Sequence, residues 1–486
     1  MPRNQGCAGP LLTDLYELTM ACAYWKAGKA DQEAVFELFF RTAPFHCGFT
    51  VAAGLAPALD FLAGFCFTEE DRAFLAALRG NDGQPLFDEK FLDYLGALRF
   101  ACDVHAIPEG TAVFPLEPLL RIQGPILQCQ LLETALLNLI NFQSLVATKA
   151  ARVCLAAQGE PVLEFGLRRA QGVDGALAAS RAAHIGGCDA TSNVLAGKLY
   201  GIPVRGTHAH SWVMSFDDER EAFRAYAEAT PNNCIFLVDT YETLEGVRRA
   251  VEVGRWLRDR GHEMAGIRLD SGDLAWLSIE ARKILDDAGF PNAVIVASNE
   301  LDEHIIASLK DQGARINVWG VGTKLVTAYD QPALGGVYKL GAVRRRDGRW
   351  HYKVKLSEQT AKISTPGIHQ VRRFRSGREF IADAIYDVEQ GAPEQFTMVD
   401  PWDPTRRKHV APGTAFEDLL IPVFKKGRPV YQSPPLHEIR RRTQSQLAMF
   451  HPGVKRFINP HQYPVGLESG LYDLKTELIL RARGEK

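Results

Sequence analysis

Several features that mark other protein classes are missing from this 486-residue sequence. Its nine cysteines include no CxxC pair, and the two closest in sequence, Cys7 and Cys22, are fifteen positions apart. This spacing fits neither a zinc site nor a disulfide framework, so we expect a reducing compartment, the cytoplasm. No stretch approaches the roughly 18 continuous apolar residues of a membrane-spanning helix, and the first ten residues lack the apolar core of a secretory signal. We therefore expect neither membrane insertion nor secretion.

A large excess of charge of either sign is also missing. The sequence has 56 Lys and Arg against 58 Asp and Glu, a net charge of -2, which argues against bulk attraction to nucleic acid or to a membrane surface. The balance conceals a difference along the chain, because residues 1–338 carry 29 basic and 42 acidic side chains, whereas residues 339–486 carry 27 and 16. We expect the basic end to pack against the acidic body and to attract anionic substrates over a long range.

Short apolar runs alternate with amphipathic stretches between residues 162 and 323, a pattern typical of repeated βα units. The predicted strands are 162–165, 202–204, 235–238, 266–269, 293–297 and 316–319. The predicted helices between them are 176–185, 217–228, 244–260, 275–288 and 301–312, and three of these end beside a glycine. With this many units and strands this apolar, a closed or nearly closed parallel α/β barrel is favoured over an open sheet.

The segments on either side of this pattern predict a different organisation. Residues 15–27 predict a helix that is capped by Asp14 and ends at Gly28, residues 34–40 predict a strand, and residues 131–157 predict a helix that is apolar nearly all round. After residue 338 the pattern weakens into Arg-rich segments interrupted by prolines. We therefore divide the chain into an N-terminal α+β domain (1–130), the barrel (131–340) and a C-terminal basic region (341–486) that packs on either of them.

Polar, charged and glycine residues follow nearly every predicted strand of the barrel. In a parallel barrel, the carboxyl ends of the strands and the loops after them form a single mouth, which is where active sites lie. The residues at these positions are Arg168, Arg169, Thr207, His208, His210, Asp239, Thr240, Asp270, Ser271, Asp273, Ser298, Asn299, Gly320, Gly322 and Thr323. This joint placement is the strongest functional signal in the sequence.

Two of these positions have the chemistry of phosphate binding. The turn from Gly320 through Gly322 to Thr323 would present backbone N–H groups and a hydroxyl, as the late loops of barrels do around phosphate. An ordinary tight turn is the alternative. Arg168 and Arg169 could each bind phosphate oxygens through paired hydrogen bonds. Alternatively, they lie in a solvated loop or form an ion pair with Glu164.

Two acids and two histidines complete the predicted mouth. Asp270 and Asp273 could hold Mg²⁺ through water or stabilise positive charge that develops on a substrate, whereas Ser271 or Asp273 could instead cap a helix. His208 and His210 could bind a metal, although no third ligand stands at a convincing spacing and the HExxH signature is absent. One of them could instead act as a nucleophile towards phosphorus.

Six motifs follow one another along the chain. They are residues 11–16 (LLTDLY), 164–169 (EFGLRR), 187–193 (GCDATSN), 206–211 (GTHAHS), 268–273 (RLDSGD) and 320–323 (GVGT). In this order they resemble the nicotinate phosphoribosyltransferase family over about residues 11–367. The resemblance implies an irregular barrel of the type II phosphoribosyltransferase kind. It also implies formation of nicotinate mononucleotide and pyrophosphate from nicotinate and phosphoribosyl pyrophosphate, coupled to ATP hydrolysis, as the first step of NAD salvage from nicotinate.

The resemblance assigns roles residue by residue. His210 matches the histidine that ATP phosphorylates, and Asp270 would lie near the sugar and phosphates, where Mg²⁺ is expected. Tyr16 matches an aromatic residue that stacks on the pyridine ring from the partner subunit, so a homodimer with shared active sites is implied. The remaining matches are Phe165 as the opposite stacking face, Thr207 and Arg268 as contacts to nicotinate, Thr323 as a contact to phosphoribosyl pyrophosphate, and Arg168, Arg169 and Gly322 near the phosphates.

Three alternatives to this function stay open. The related nicotinamide enzyme has DFGYRG and EHS where this chain has EFGLRR and AHS, which favours nicotinate, but Asp189 matches a carboxylate that binds the substrate amide in that enzyme. The decarboxylating quinolinate relative is shorter and needs more cationic groups. A non-catalytic barrel that senses phosphoribosyl pyrophosphate or ATP would have no reason to keep His210, Asp270 and Tyr16 together. None of the motifs lies in residues 370–486, and the sequence does not indicate a role for them.

Overall fold

The computed structural model describes residues 9–359 and 362–484, so Cys7 and the N-terminal segment around it lie outside the described residues. The chain divides into two compact units. The first, which we call the parallel unit, is Val146–Pro332. The second, the antiparallel unit, is formed by the chain up to Leu145 and from Ala333 onward. None of the helices in the described ranges is both long and apolar enough to cross a membrane.

Six parallel strands form the centre of the parallel unit. In spatial order they are Ala190–Thr191, Val162–Glu164, Val318–Val321, Val294–Ala297, Gly266–Leu269 and Ile235–Leu237. Their side chains are largely buried Val, Ile and Leu, as is typical of parallel strands. The predicted parallel α/β organisation is confirmed, but the two outer strands do not pair with each other within the described ranges, so the ring of strands is left open.

Helices alternate with these strands. They are Gly172–Gly186, Val194–Tyr200, His210–Met214, Glu219–Ala229, Thr243–Arg258, Leu274–Asp287, Glu303–Asp311 and Thr323–Val326, together with the second half of Glu133–Ala157. The three predicted glycine ends are confirmed, because Gly261, Gly289 and Gly313 have φ values of 78 to 80°. Only a residue without a Cβ adopts this left-handed conformation without strain.

The predicted strand at residues 202–204 is wrong. Only Val204 pairs with the sheet, through one isolated parallel bridge to Thr191. Pro203 has no N–H to give to a ladder, although its carbonyl accepts a hydrogen bond from the Thr191 N–H at 3.0 Å. The strand that pairs with Val162–Glu164 on this side is Ala190–Thr191, which at two residues is too short for its alternation to be recognised.

The antiparallel unit contains a seven-stranded and a six-stranded sheet. The seven-stranded sheet has the order Trp350–Tyr352, Gly336–Arg344, Glu33–Phe40, Leu120–Pro125, Asp103–Ala106, Ile421–Lys425 and Arg428–Pro429. The six-stranded sheet has the order Arg407–Val410, Phe396–Val399, Val465–Glu468, Glu379–Asp387, His369–Ser376 and Ala415–Asp418, and Thr50–Val51 pairs separately with Ala112–Val113. Its longer helices are Leu15–Lys26, Leu55–Ala63, Glu69–Ala77, Glu89–Ala97, Ile126–Leu131, Leu436–Ala448, Ser469–Ala482 and the first half of Glu133–Ala157.

The predicted first helix is confirmed as Leu15–Lys26, but its predicted cap is wrong. The side chain of Asp14 accepts no hydrogen bond from a helix amide, and its carboxylate instead accepts one from Thr134 Oγ1 at 2.7 Å. The buried Glu17 accepts hydrogen bonds from Thr13 Oγ1 at 2.6 Å and from the Thr134 N–H at 2.9 Å. A contact with a distant helix has therefore replaced the local capping pattern.

Candidate active site

The buried carboxylate of Glu164 organises the loop after strand Val162–Glu164. It accepts hydrogen bonds from the Gly166 N–H, from Ser180 Oγ at 2.8 Å and from Thr191 Oγ1 at 2.6 Å. These three donors come from its own loop, from the following helix and from the neighbouring strand. One carboxylate therefore fixes the start of the loop that carries the EFGLRR motif.

Arg168 and Arg169 lie exposed in the short helical turn Leu167–Arg169. The alternative of an ion pair with Glu164 is wrong, because neutral donors fill that carboxylate and neither arginine pairs with it in the described part of the chain. Burial lowers the pKa of Arg268, and the like charge on Arg168 lowers it further, which places these two cations near each other. The exposed arginines are therefore free to meet an anion.

The ring of Phe165 lies over the glycine turn of the neighbouring strand. The Phe165 N–H donates to the Val321 carbonyl at 2.8 Å. A Cβ at Gly320 would lie 2.8 Å from two ring carbons of Phe165, and a Cβ at Gly322 would lie 3.1 Å from its carbonyl oxygen. Both glycines are thus needed for this close approach. The turn then enters the short helix Thr323–Val326, whose first residue is half-buried.

His208 is a structural residue. It is 8% exposed and contacts the rings of Phe223, Tyr226 and Phe236. Its Nε2 accepts a hydrogen bond from the Leu237 N–H at 3.2 Å. Burial lowers the pKa of His208 to about 4, so its ring is neutral at physiological pH.

His210, two residues later, presents its ring to solvent. It begins the helix His210–Met214, and its side chain is 40% exposed. Its Nδ1 lies 3.1 Å from Thr240 Oγ1, and its Nε2 lies 3.8 Å from Asp270 Oδ2. Since no group of three or more His, Cys, Asp or Glu within the described ranges is placed to hold a metal ion, a histidine metal pair gains no support. The geometry favours His210 over its neighbour as a nucleophile.

Arg268 and Thr207, both expected to contact nicotinate, contact each other. Arg268 Nη1 donates to Thr207 Oγ1 at 2.5 Å. The Arg268 Nε is buried and has no hydrogen-bond partner among the residues that the structure describes. The guanidinium keeps its charge even when partly buried. A buried donor without a partner is unfavourable, and a carboxylate supplied by a ligand would satisfy it.

Asp239 and Asp270 follow adjacent strands and are joined by hydrogen bonds. Asp239 Oδ2 accepts from the Asp270 N–H at 2.8 Å and from Ser271 Oγ at 2.7 Å. Asp270 Oδ1 accepts from Ser298 Oγ at 2.5 Å. Asp239 Oδ1 is buried and, within the described ranges, has no partner. Two carboxylates at one edge of the sheet can hold a cation or stabilise positive charge on a substrate.

Asp239, Thr240 and Ser298 were assigned no role from the sequence, although each follows a predicted strand. Thr240 holds the ring of His210, Ser298 holds Asp270, and Asp239 holds the loop on which Asp270 lies. Their position after a strand was the signal that could have found them.

Asp273 caps the helix Leu274–Asp287, as the alternative interpretation proposed. Its Oδ1 accepts from the Trp276 N–H at 3.0 Å, and its side chain is exposed. Of the two acids in the RLDSGD motif, only Asp270 therefore lies against His210 and Ser298.

The interpretation of Asp189 as a substrate-binding carboxylate is wrong. Its Oδ2 accepts from the Val162 N–H at 2.9 Å, and its own N–H donates to the Val162 carbonyl at 2.8 Å. Val162 is the first residue of its strand, so Asp189 lies at the amino end of the sheet. The candidate site residues of this unit lie at or after the carboxyl ends of their strands.

Tyr16 belongs to the antiparallel unit, on the helix Leu15–Lys26. Burial, together with the negative charge of Glu133, raises the pKa of Tyr16 to about 12, so its hydroxyl is neutral. The Tyr16 side chain is nevertheless 47% exposed, and Met20, one turn later, is 39% exposed. This helix therefore has an apolar face that its own unit leaves uncovered.

A cluster of cations in the same unit was not evident from the sequence. Burial lowers the pKa of Lys339, and the like charges of Arg41 and Lys355 lower it further, while Glu133 opposes both effects. Glu133 also raises the pKa of Tyr16 through its negative charge, so it lies near both residues. Because Arg41 and Lys339 are distant in sequence, only the fold shows that they lie together.

Three family models match consecutive parts of the chain. The nicotinate phosphoribosyltransferase N-terminal domain matches residues 11–141, the nicotinate phosphoribosyltransferase family model matches 161–351, and the C-terminal domain of nicotinate phosphoribosyltransferase matches 368–475. The third match covers most of the region in which no motif was found.

Curated relatives are similar over nearly their whole length. The nicotinate phosphoribosyltransferase of Bacillus subtilis (strain 168) is 45% identical over 474 residues, which cover 96% of this chain and 95% of the relative. The nicotinate phosphoribosyltransferase of Homo sapiens is 38% identical, with 98% of each chain covered.

Two solved structures are also similar. The crystal structure of human nicotinic acid phosphoribosyltransferase matches with a TM-score of 0.82 and 36% identity, covering 96% of this chain and 99% of that one. The nicotinate-nucleotide pyrophosphorylase of Pyrococcus furiosus, at 23% identity and a TM-score of 0.67 over 90% of this chain and 95% of that one, shares the fold. The chain therefore belongs to the nicotinate phosphoribosyltransferase family of enzymes.

Proposed function

We propose that the chain converts nicotinate, phosphoribosyl pyrophosphate, ATP and water to nicotinate mononucleotide, pyrophosphate, ADP and phosphate, in the cytoplasm, as the first step of NAD salvage from nicotinate. Family membership supports the transfer reaction. The observation that carries the proposal is the grouping of Arg268 and Thr207 with His210 and Asp270 at one edge of the parallel sheet.

Arg268 would bind the carboxylate of nicotinate. Its buried Nε lacks a partner among the described residues, and its Nη1 is already oriented by Thr207. A carboxylate would supply both the missing acceptor and the opposite charge, whereas the neutral amide of nicotinamide would supply only an acceptor. The placement of Asp189 at the other end of the sheet removes the residue that had favoured nicotinamide. Phe165, next to the glycine turn, would face the pyridine ring.

His210 would take the γ-phosphoryl group of ATP. An imidazole nitrogen attacks phosphorus, the bond to the ADP oxygen breaks, and water later releases the phosphate from His210. Thr240 restricts rotation of the ring, and Asp270 lies within 3.8 Å of Nε2, where it can stabilise the positively charged ring. Phosphorylation would add negative charge beside Asp270 and thereby couple ATP hydrolysis to the charge balance of the site.

The transfer step needs opposite charges at the two ends of the breaking bond. Positive charge develops on the ribose as its bond to pyrophosphate breaks, and Asp270 would stabilise it. The leaving pyrophosphate would bind Arg168, Arg169, the Gly322 backbone and Thr323. Mg²⁺ fits the oxygen donors present, since Asp239 and Asp270 would hold it together with substrate phosphates and it would supply positive charge beside the pyrophosphate.

The site would be completed in a homodimer by Tyr16 of the partner subunit. The uncovered face of the helix Leu15–Lys26 supports this arrangement, because exposed apolar side chains mark interaction surfaces when they lie together. The nearby cations Arg41, Lys339 and Lys355 would add positive charge for the phosphates.

A product assay tests the reaction. Phosphoribosyl pyrophosphate would be incubated with nicotinate, nicotinamide or quinolinate, each with and without ATP, and the mononucleotides would be separated by chromatography. We expect nicotinate mononucleotide to form fastest and ATP to accelerate it. A product from nicotinamide alone would establish the nicotinamide alternative, and binding without any product would establish the sensing barrel.

Mixing variant subunits tests the shared site. Tyr16→Ala and His210→Ala chains should each lack ATP-stimulated transfer, and mixed dimers should recover up to about half of the ATP-stimulated activity of the native dimer, because one of the two composite sites in such a dimer is intact. Mixed dimers are verified with two affinity tags. Absence of recovery in verified mixed dimers would show that each chain forms its site alone.

A further inference from the structure

The antiparallel unit contains a groove that the proposed reaction does not use. Its volume is about 900 Å³, within the range of small-molecule sites. One wall is the loop between strands Phe396–Val399 and Arg407–Val410, and the other is formed by residues 456–466. Every residue that lines the groove belongs to the antiparallel unit.

The groove carries an excess of positive charge. Arg406, Arg407, Lys408 and Arg456 line it, and Asp400 is the single acid among its lining residues. Asp400 Oδ1 is already occupied, because it accepts hydrogen bonds from the Trp402 N–H at 2.8 Å and from the Asp403 N–H at 3.1 Å.

Two of these cations have no carboxylate partner. Neither Arg407 nor Arg456 forms an ion pair with any residue in the described ranges, whereas Arg406 pairs with Asp403 at 3.2 Å. A concave surface with unpaired guanidinium groups attracts and binds anions, phosphates in particular.

An aromatic ring stands at the edge of the same groove. The side chain of Trp402 is 49% exposed at the tip of the first wall, and the hydrogen bond to Asp400 fixes its backbone. Part of the lining is apolar and firmly packed, because the rings of Phe114 and Tyr463 stack with their centres 4.4 Å apart. An exposed indole beside cations is the combination that binds a planar base and its phosphates.

The backbone of the groove is strained where it meets this space. Leu116 has a φ of 74°, in the left-handed region that disfavours a residue with a Cβ, whereas Asn459, with a φ of 47°, is of a type that adopts this region readily. Leu116 is held there by its N–H, which donates to the Phe40 carbonyl at 2.8 Å. Strain of this kind collects at ligand-binding sites, where the surrounding structure maintains it.

We propose that this groove binds a nucleoside di- or triphosphate as a regulatory ligand. The base stacks on Trp402, and the phosphates are bound by Arg407 and Arg456 with support from Arg406. The transfer reaction needs none of these residues, so the groove senses nucleotide without taking part in the chemistry.

Photolabelling of the full-length protein with 8-azido-ADP, followed by peptide mapping, locates the site. We expect label within residues 398–408 or 456–466, in addition to any label in the parallel unit. ADP should protect the groove at concentrations at least tenfold below those at which adenosine or tripolyphosphate protects. Label confined to the parallel unit would overturn the proposal, and equal protection by tripolyphosphate and ADP would reduce the groove to an anion site without base recognition.

Variants with matched controls test the two halves of the ligand. Trp402→Ala should weaken groove protection by ADP roughly tenfold while Trp402→Phe retains it, because base stacking requires only an aromatic face. Arg456→Gln should weaken groove protection by ADP about tenfold. Arg378→Gln should not weaken it, because Arg378 is an exposed arginine outside the groove. Each variant must unfold at the wild-type temperature. Wild-type protection in both Trp402→Ala and Arg456→Gln would overturn the proposal.

Discussion

The two units each contain a buried or partly buried arginine, and the surroundings of these arginines differ. Arg373, in the antiparallel unit, is 0% exposed and donates to the Asp383 carboxylate at 3.0 Å, to Gln446 Oε1 at 2.8 Å and to the Ala112 carbonyl at 2.8 Å. Burial lowers the pKa of Arg373, but the charge of Asp383 outweighs this effect and raises it above its usual value. Arg268, in the parallel unit, has one side-chain hydrogen-bond partner among the described residues, Thr207, and burial lowers its pKa.

This difference contrasts a fully paired structural charge with the charge that we propose binds a substrate. A buried ion pair whose donors are all matched holds two elements together, as Arg373 does for strand His369–Ser376 and its neighbour. A partly buried charge with an unmatched donor at the edge of a sheet is stabilised only when a ligand arrives. Burial alone therefore does not indicate function, and we propose that incomplete pairing at the edge of the parallel sheet marks Arg268 as a binding residue.

His210→Ala should produce the largest effect, at this edge. We expect loss of nicotinate-stimulated ATP hydrolysis by at least about a thousandfold, because no other side chain replaces the nucleophile. A slow transfer without ATP should remain. ATP hydrolysis is measured by phosphate release with and without nicotinate, with Ser215→Ala in the same region as control. Unchanged ATP hydrolysis would remove His210 from its proposed role.

Arg373→Met should be the most damaging change to stability. We expect a loss of about 3–5 kcal/mol in the free energy of unfolding, because Asp383 would remain buried and unpaired. Denaturant unfolding measures the loss, with the exposed Arg375→Met as the matched control. If Arg373→Met proved as stable as its control, the distinction between structural and binding arginines would fail.

Arg268→Ala should impair substrate binding and leave stability nearly unchanged, the opposite of Arg373→Met. The KM for nicotinate should rise about a hundredfold, equivalent to about 3 kcal/mol of lost binding, while the KM for ATP and the unfolding temperature change little. Arg268→Lys should recover only part of the affinity, because an ammonium group lacks the planar pair of donors. Arg205→Ala, an exposed arginine in the loop before Thr207, is the control. An equal rise in both KM values would contradict the assignment.

The pH dependence of stability should differ in sign between the two units. Burial lowers the pKa of His208 to about 4, whereas in the unfolded chain it is near 6.5. The neutral ring therefore contributes fully to the free energy of unfolding above pH 6.5, and this contribution declines as the pH falls, by about 2 kcal/mol at pH 5. Burial lowers the pKa of His369, but the charge of Glu37 outweighs this effect and raises it above its ordinary value. The contribution of His369 to the free energy of unfolding is therefore complete below pH 6.5, and it is lost as the pH rises through the pKa of His369 in the folded protein. The free energy of unfolding would be measured between pH 5 and 8 for His208→Asn and for His369→Asn. Each substitution should remove one of the two pH dependences. A wild-type slope in either variant would show that the histidine does not cause it.

Local patterns predicted the parallel strands and their glycine-ended helices because those elements depend on residues close in sequence. The pattern failed at residues 202–204, where an apolar run contains a proline, and at Asp14, whose partner Thr134 is 120 positions away. The pair formed by Arg373 and Ala112 is 261 positions apart and left no local trace.

The site was predicted in outline for a topological reason. Parallel strands place their carboxyl ends, and whatever follows them, at one edge, so Arg268, His210 and Asp270 could be grouped without a structure. The distinction between His208 and His210 could not be made from the residues alone, because it depends on which ring packs among Phe223, Tyr226 and Phe236. Only the family resemblance had separated them.

The hydrogen bonds of Glu164 have a consequence for binding entropy. Because this carboxylate ties the start of its loop to a helix and to a neighbouring strand, the backbone around Phe165 is ordered before any substrate arrives. A ligand would then immobilise only the exposed side chains of Arg168 and Arg169, each of which carries roughly 2 kcal/mol of rotamer entropy. Glu164→Gln would weaken these hydrogen bonds, so that binding of a substrate would also have to order the loop.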